Sequence, residues 1–207
     1  MPAFVTQLDR AIFLALFGGE TPGWILYVML GLTIVGRGYI VWALATLAVL
    51  PSSAAKVLPH RIFSLERQRL ARELLLVLVV TALLVYGLKA IVQRPRPYLQ
   101  LDLVPLGSAP RDFSFPSGHS AGAFSFASFF IGRLRPSYRA TAALLIFAAG
   151  IAISRIYLGA HFPTDVLAGG LLGSACGYFA GRAFRLRAMA RAEASGPQLA
   201  KPGTHGA

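Results

Sequence analysis

Five stretches of this 207-residue chain, at about 23–50, 73–91, 117–132, 139–157 and 165–184, are almost wholly apolar, and polar clusters close each of them. No unbroken run is a complete membrane span. Leu74–Leu88, for example, is fifteen residues between Glu73 and Lys89, against the roughly 20 that cross a hydrocarbon core. The set is more telling than any member. Hydrophobic residues make up 56% of the sequence and charged residues 14%, where soluble domains carry roughly 25% charged residues. A bilayer suits such a chain better than water. Counted with their polar ends, the stretches predict an all-α, polytopic membrane helix bundle of five to six transmembrane helices. The count turns on 23–50, where Gly36-Arg37-Gly38 interrupts the run and an unpaired arginine in lipid is costly. That stretch is either one long tilted helix or a re-entrant or interfacial helix at 22–35 followed by a span. Residues 8–17 read as a further short interfacial helix.

The formal charge of +12 raises the question of nucleic acid, and the placement of the basic residues answers it. They fall in short clusters between apolar runs, with no extended basic patch or aromatic platform, so no nucleic-acid partner is expected. Lys56, Arg61, Arg67, Arg69 and Arg72 form one cluster, Arg133, Arg135 and Arg139 the next but one, and Arg182, Arg185, Arg187 and Arg191 follow the last run. The positive-inside rule puts all three in the cytoplasm, and with them the C-terminus. The connections 92–116 and 158–164 then face the periplasm or exterior of an inner (plasma) membrane. The first is long and carries five prolines, at 95, 97, 105, 110 and 116, and long loops of this kind are often functional. The N-terminal residues lack the features of a cleaved signal and are expected to be retained. Cys176 is expected to be a small buried thiol. The tail 195–207, rich in Gly, Pro and small polar residues, is expected to be disordered and cytoplasmic, leaving 1–194 as one membrane domain.

Three polar clusters fall where spans meet the outer face: Lys89 to Pro97, Phe115-Pro116-Ser117-Gly118-His119-Ser120, and Ser154-Arg155 through His161 to Asp165. Lys89, Arg96 and Arg155 supply cations, and a phosphoryl group has charged oxygens that the planar fork of arginine grips two at a time. Ser117-Gly118 precedes an apolar run, so backbone amides at a helix N-terminus can point at an anion that glycine lets approach. Asp165 follows His161 by four residues with Pro163 between, a spacing that lets the carboxylate reach one ring nitrogen and leave the other as nucleophile. His119 has no carboxylate nearby in sequence and is placed to protonate a leaving oxygen. Arg94, beside Arg96, offers a second register and could reach the second group of a diphosphate. Tyr98 and Tyr157 read as interfacial aromatics, and His60 and His205 as ordinary polar residues away from the clamp.

The clusters follow the pattern KxxxxxxRP, PSGH and SRxxxxxHxxxD at every fixed position. The chain therefore resembles the type 2 phosphatidic acid phosphatase (PAP2) family. The resemblance implies that His161 becomes transiently phosphorylated and is oriented by Asp165. It implies that His119 acts as the acid and that Lys89, Arg96, Ser117, Gly118 and Arg155 bind phosphate. It implies no metal and no cofactor. The substrate it implies is a membrane lipid phosphate or diphosphate, with undecaprenyl diphosphate the first choice. Phosphatidylglycerophosphate, phosphatidic acid, lipid A phosphate and a soluble phosphate ester fit the same residues, as does phosphoryl transfer to another lipid. A non-catalytic protein that binds or moves anionic lipids would be expected to lack a histidine or the aspartate. The sequence carries no signal of oligomeric state. The orientation has a direct check: a cysteine introduced at Asp102 is predicted to react with an impermeant reagent in intact cells, and labelling only after lysis would reverse it.

Overall fold

The computed structural model describes residues 3–19, 21–36 and 65–194. The second half of the 23–50 run, the basic residues Lys56 and Arg61, His60, and the tail 195–207 with His205 lie outside the described residues. Every regular element among the described residues is a helix: α1 (Ala3–Leu16), α2 (Gly23–Gly36), α3 (Leu65–Val92), α4 (Pro97–Gln100), α5 (Gly118–Leu134), α6 (Tyr138–Tyr157) and α7 (Pro163–Ala194). The helices overrun the apolar stretches at their basic ends. α3 starts eight residues before Glu73, and α7 continues ten residues past 184, because Arg, Ala and Glu are good helix formers with no apolar signal.

α5 and α7 run side by side in parallel, in closest contact. Gly169, Gly173, Gly177 and Gly181 of α7 lie against the carbonyls of Ser117, Ala121, Ser125 and Phe129 of α5, and a Cβ at any of the four would collide with them. Small residues at four-residue spacing are how helices approach this closely in lipid, where packing rather than the hydrophobic effect holds them. α3 packs on α5 in the opposite direction: Thr81 and Ser125 share a hydrogen bond of 3.0 Å, and Glu73 accepts from Arg133 at 2.7 Å. Buried Glu73 thus ties the basic start of α3 to the basic end of α5, with Arg69 at 3.2 Å from the same carboxylate. A second core gathers Phe13 of α1 with Ala152, Ile156, Phe162 and Val166.

Large apolar side chains line the outside: Leu83, Tyr86 and Ile91 of α3, Ile146 of α6, and Leu167, Leu171 and Phe179 of α7 are all exposed. So many large apolar side chains left exposed suit lipid better than water. By length and composition two stretches among the described residues, Arg67–Gln100 and Tyr138–Tyr157, are long and apolar enough to cross a membrane, and Gly23–Gly36 is apolar but shorter. α5 and α7 fall outside that measure for a physical reason. Their shared face is built from glycine, serine and alanine, which give close packing at the expense of hydropathy. Cys176, on α7, is half-buried, more open than the sequence suggested.

Candidate active site

The directions of the helices place charge at one end of the bundle. α3 and α6 end there, and the basic residue in the last turn of each is Lys89 and Arg155 respectively. α5 and α7 begin there, with Gly118 and His119 in the first turn of α5 and Asp165 in the first turn of α7. Cations sit favourably at helix C-termini, and two N-termini add positive potential toward the space between. After α6 the chain turns at Gly159, whose φ of +79° is left-handed, and enters the short segment that holds His161.

All eight residues singled out from the sequence come to this end. Lys89, Arg96, Arg155, His161, Asp165 and Ser117 are buried. Lys89, Arg96, Gly118, His119, Arg155 and His161 line one cavity of about 470 Å³. Asp112 and Thr81 also line it, and the rest of the wall is mostly apolar, from Val35 of α2 through Leu78, Ala82 and Val85 of α3, Phe126 of α5 and Leu144, Phe147 and Ile151 of α6. From Lys89 to Leu78 the apolar wall descends eleven residues of helix, or about 16 Å. Among the described residues no group of three or more His, Cys, Asp or Glu side chains could hold a metal ion.

The Nη1 of Arg96 lies 3.2 Å from His161 Nε2 and also donates to the carbonyl of Ala160 at 2.8 Å. A guanidinium has no lone pair, so the ring nitrogen it meets is the unprotonated one and the proton belongs to Nδ1. On that side the geometry differs from the sequence reading. His161 Nδ1 is 3.8 Å from Asp165 Oδ2, beyond hydrogen-bond length, and Ser114 bridges them. Its Oγ donates to Asp165 Oδ2 at 2.5 Å and is 3.4 Å from Nδ1. Asp165 cannot turn further toward the ring because the same carboxylate accepts from the amide of Phe162 at 2.9 Å and from Arg94 at 2.7 Å. Burial pushes the His161 imidazole down, the charge of Arg96 adds to this, and Asp165 opposes it, with a net value of about 4.

Ser117 also differs from expectation. Its side chain is the N-cap of α5, with the Ser120 hydroxyl donating to it at 3.0 Å, and its amide donates to the carbonyl of Asp165 at 2.9 Å. The Ser117 hydroxyl accepts and its amide donates within the protein, and Gly118 and His119 are the residues of the turn that line the cavity. Arg94 does not reach the cavity. It is clamped between Asp165 and Asp9 of α1, at 2.7 and 2.6 Å, with its guanidinium 4.2 Å above the Phe162 ring. Asp9 in turn accepts from the amide and hydroxyl of Thr164, at 2.9 and 2.6 Å. Arg155 donates to buried Thr33 of α2. Tyr157 is buried and bonded to Thr21, not interfacial, and Tyr98 pins the long connection by donating to the carbonyl of Pro110 at 2.5 Å.

Asp9, Thr33, Ser114 and Asp112 are partners not anticipated from sequence. Ser114 is a lone hydroxyl between Phe113 and Phe115, and Asp112 is one carboxylate in a proline-rich loop. Asp112 bonds to Lys89 at 3.0 Å and Arg96 at 2.5 Å. Partial burial alone would raise its carboxyl, but the hydrogen bond from Lys89 and the charges of Arg96 and Lys89 outweigh it and hold the group below the usual carboxylate range.

Residues 70–188 match the family model described as the PAP2 superfamily. The chain belongs to the PAP2 superfamily. Among curated relatives it is 38% identical to phosphatidylglycerophosphatase B of Bacillus subtilis over 108 residues, 48% of this chain and 51% of that protein. It is 39% identical to lipid A 1-phosphatase of Rhizobium etli over 98 residues, 44% of this chain and 40% of that protein. The matches thus span about half the length of those relatives, or less. Among solved structures, the transmembrane PAP2 type phosphatidylglycerolphosphate phosphatase from Bacillus subtilis superposes with a TM-score of 0.69 at 30% identity, covering 89% of this chain and 88% of that one. Aquifex aeolicus LpxE superposes at 0.66 and 28% identity, covering 84% and 94%.

The buried Asp9–Arg94–Asp165 arrangement generates a prediction. Removing the central cation leaves two buried carboxylates without it, which costs about 3–5 kcal/mol. Arg94→Met is expected to lower the unfolding temperature in detergent markedly, and Asp9→Asn added to it should recover part of the loss. An unchanged unfolding temperature with a raised KM would instead make Arg94 a substrate ligand.

Proposed function

We propose that this chain is a phosphatase of membrane lipid phosphates that works through a phosphohistidine at His161. The observation that carries the reading is the cavity: a cationic end beside an unprotonated, buried imidazole nitrogen, continuous with an apolar wall that suits lipid chains. The phosphoryl group lies among Lys89, Arg96, Arg155 and the first turn of α5 at Gly118. His161 Nε2 attacks phosphorus, the bond from phosphorus to the lipid oxygen breaks, and His119 gives that oxygen a proton. Water then attacks the phosphohistidine, returns a proton to His119, and inorganic phosphate leaves. Asp165, through Ser114, holds the ring with its proton on Nδ1 and stabilises the cationic imidazole of the intermediate.

Within lipid phosphates, the position of Arg94 favours a single terminal phosphate, because the arginine that could have taken a second one is committed to Asp9 and Asp165. The relatives named for phosphatidylglycerophosphate and lipid A support the same choice over undecaprenyl diphosphate, which stays a candidate. The domain comprises residues 1–194 with five or six spans, integral to the inner membrane, the site facing the periplasm or exterior, and 195–207 a cytoplasmic tail.

Phosphate release by the purified chain in detergent with EDTA tests this against phosphatidylglycerophosphate, lipid A, phosphatidic acid and undecaprenyl diphosphate. Release from at least one lipid is expected, and release from none would sink the proposal. His161→Ala should lower the rate by about a thousandfold or more. The nucleophile must be neutral, and burial keeps it so until about pH 4. The acid limb of kcat/KM assigned to His161 is therefore expected near pH 4, and a limb at an ordinary histidine value would contradict a buried nucleophile.

A further inference from the structure

Lys89 and Arg96, the two cations assigned above to phosphoryl oxygens, already hold an anion. Each takes one oxygen of Asp112: Nζ of Lys89 is 3.0 Å from Oδ2, and Nη2 of Arg96 is 2.5 Å from Oδ1. Asp112 itself lines the cavity, in the irregular chain between α4 and α5. Its side chain is 46% exposed while those of its two partners are buried, so the cations hold it in place, not packing. The backbone around it is fastened separately. Arg96 Nε donates to the carbonyl of Asp112 at 2.8 Å, and Lys89 donates to the carbonyl of Phe113. The carboxylate can swing out toward solvent while the segment stays attached.

A cationic site open to a bilayer faces a competition problem. The singly charged phosphodiesters of ordinary phospholipids outnumber any lipid with a terminal phosphate, and they too carry two unesterified oxygens. A carboxylate already bound offers the same charge and the same two oxygens, so a diester gains little by replacing it. A terminal phosphoryl group, with about −1.5 to −2 charge and three oxygens at neutral pH, gains more, because its extra charge and third oxygen can use Arg155 and the first turn of α5 as well.

We propose that Asp112 is a specificity-determining residue whose carboxylate occupies the phosphoryl subsite between Lys89 and Arg96, to be displaced by terminal phosphoryl groups and not by phosphodiesters. The assignment rests on the phosphatase reading for its physiological meaning, but its test does not require turnover. A site closed most of the time by its own carboxylate binds ligand more weakly in proportion to the open fraction.

The experiment is a phosphorus NMR titration of inorganic phosphate into the purified full chain in a neutral detergent, with phosphatidylglycerol in mixed micelles as competitor. The wild-type chain is expected to bind phosphate weakly, and phosphatidylglycerol should not displace it. Asp112→Asn should bind phosphate about tenfold more tightly or better, and phosphatidylglycerol should now compete. Asp112→Glu, which keeps the charge, should behave like the wild type, and Asp112→Ala should repeat the asparagine result if that variant folds poorly. Phosphate affinity equal to or below wild type in both Asp112→Asn and Asp112→Ala would overturn the proposal. So would phosphatidylglycerol displacing phosphate from the wild-type chain as well as from the variants. If the binding results hold but no lipid is hydrolysed, the phosphatase reading fails and the occupied subsite stands.

Discussion

Along α5 and α7 the two backbones touch, because Gly169, Gly173, Gly177 and Gly181 present no side chain to the carbonyls they face. Asp165 continues the same four-residue stripe at the start of α7, and its carbonyl accepts the amide of Ser117 at 2.9 Å. Register along the contact therefore decides where the site residues meet. It sets the first turn of α5, with Gly118 and His119, beside the segment that carries His161. A slip of one helical turn would move the two histidines apart by about 5 Å, more than a phosphoryl transfer tolerates. In lipid, where apolar burial gives no preference between helices, such close packing is what can hold the register.

The second constraint is electrostatic. Three cations and one imidazole are buried at one end of the bundle, and unpaired buried charges are costly. The structure answers with two carboxylate systems that do different things. Asp9 and Asp165 enclose Arg94 and lock the last helix to α1, which keeps Asp165 and Ser114 behind the His161 ring. Asp112 pairs with both Lys89 and Arg96 from an exposed loop, one negative charge between two positive ones. The first is built to stay and the second to move.

Much of this was legible in the sequence, and the parts that were not share a cause. The apolar runs marked α3, α5, α6 and α7, and the three polar clusters marked the ends that meet, since those residues carry chemistry whatever their neighbours. The contacts that orient them come from elsewhere in the chain. Asp9 lies 85 positions from Arg94, and a single carboxylate in an interfacial helix looks like surface until the fold buries it. Ser114 shows nothing but its position between two phenylalanines, and the capping role of Ser117, whose hydroxyl accepts from Ser120, has no signal apart from its place before the helix. The glycine spacing in α7 lies in the sequence but went unread, because a four-residue recurrence of small residues names no partner, and only the fold shows α5 opposite. The number of spans stays tied to composition, which α5 and α7 dilute with the small residues that let them pack.

The central claim is that the phosphoryl group passes through His161 Nε2. The most direct measurement mixes the purified chain with a lipid phosphate labelled in its phosphoryl group, stops the reaction in alkali, where phosphohistidine survives, and maps the labelled peptide by mass spectrometry. The account predicts label on His161. Label on another residue, or none while phosphate is being released, would contradict it.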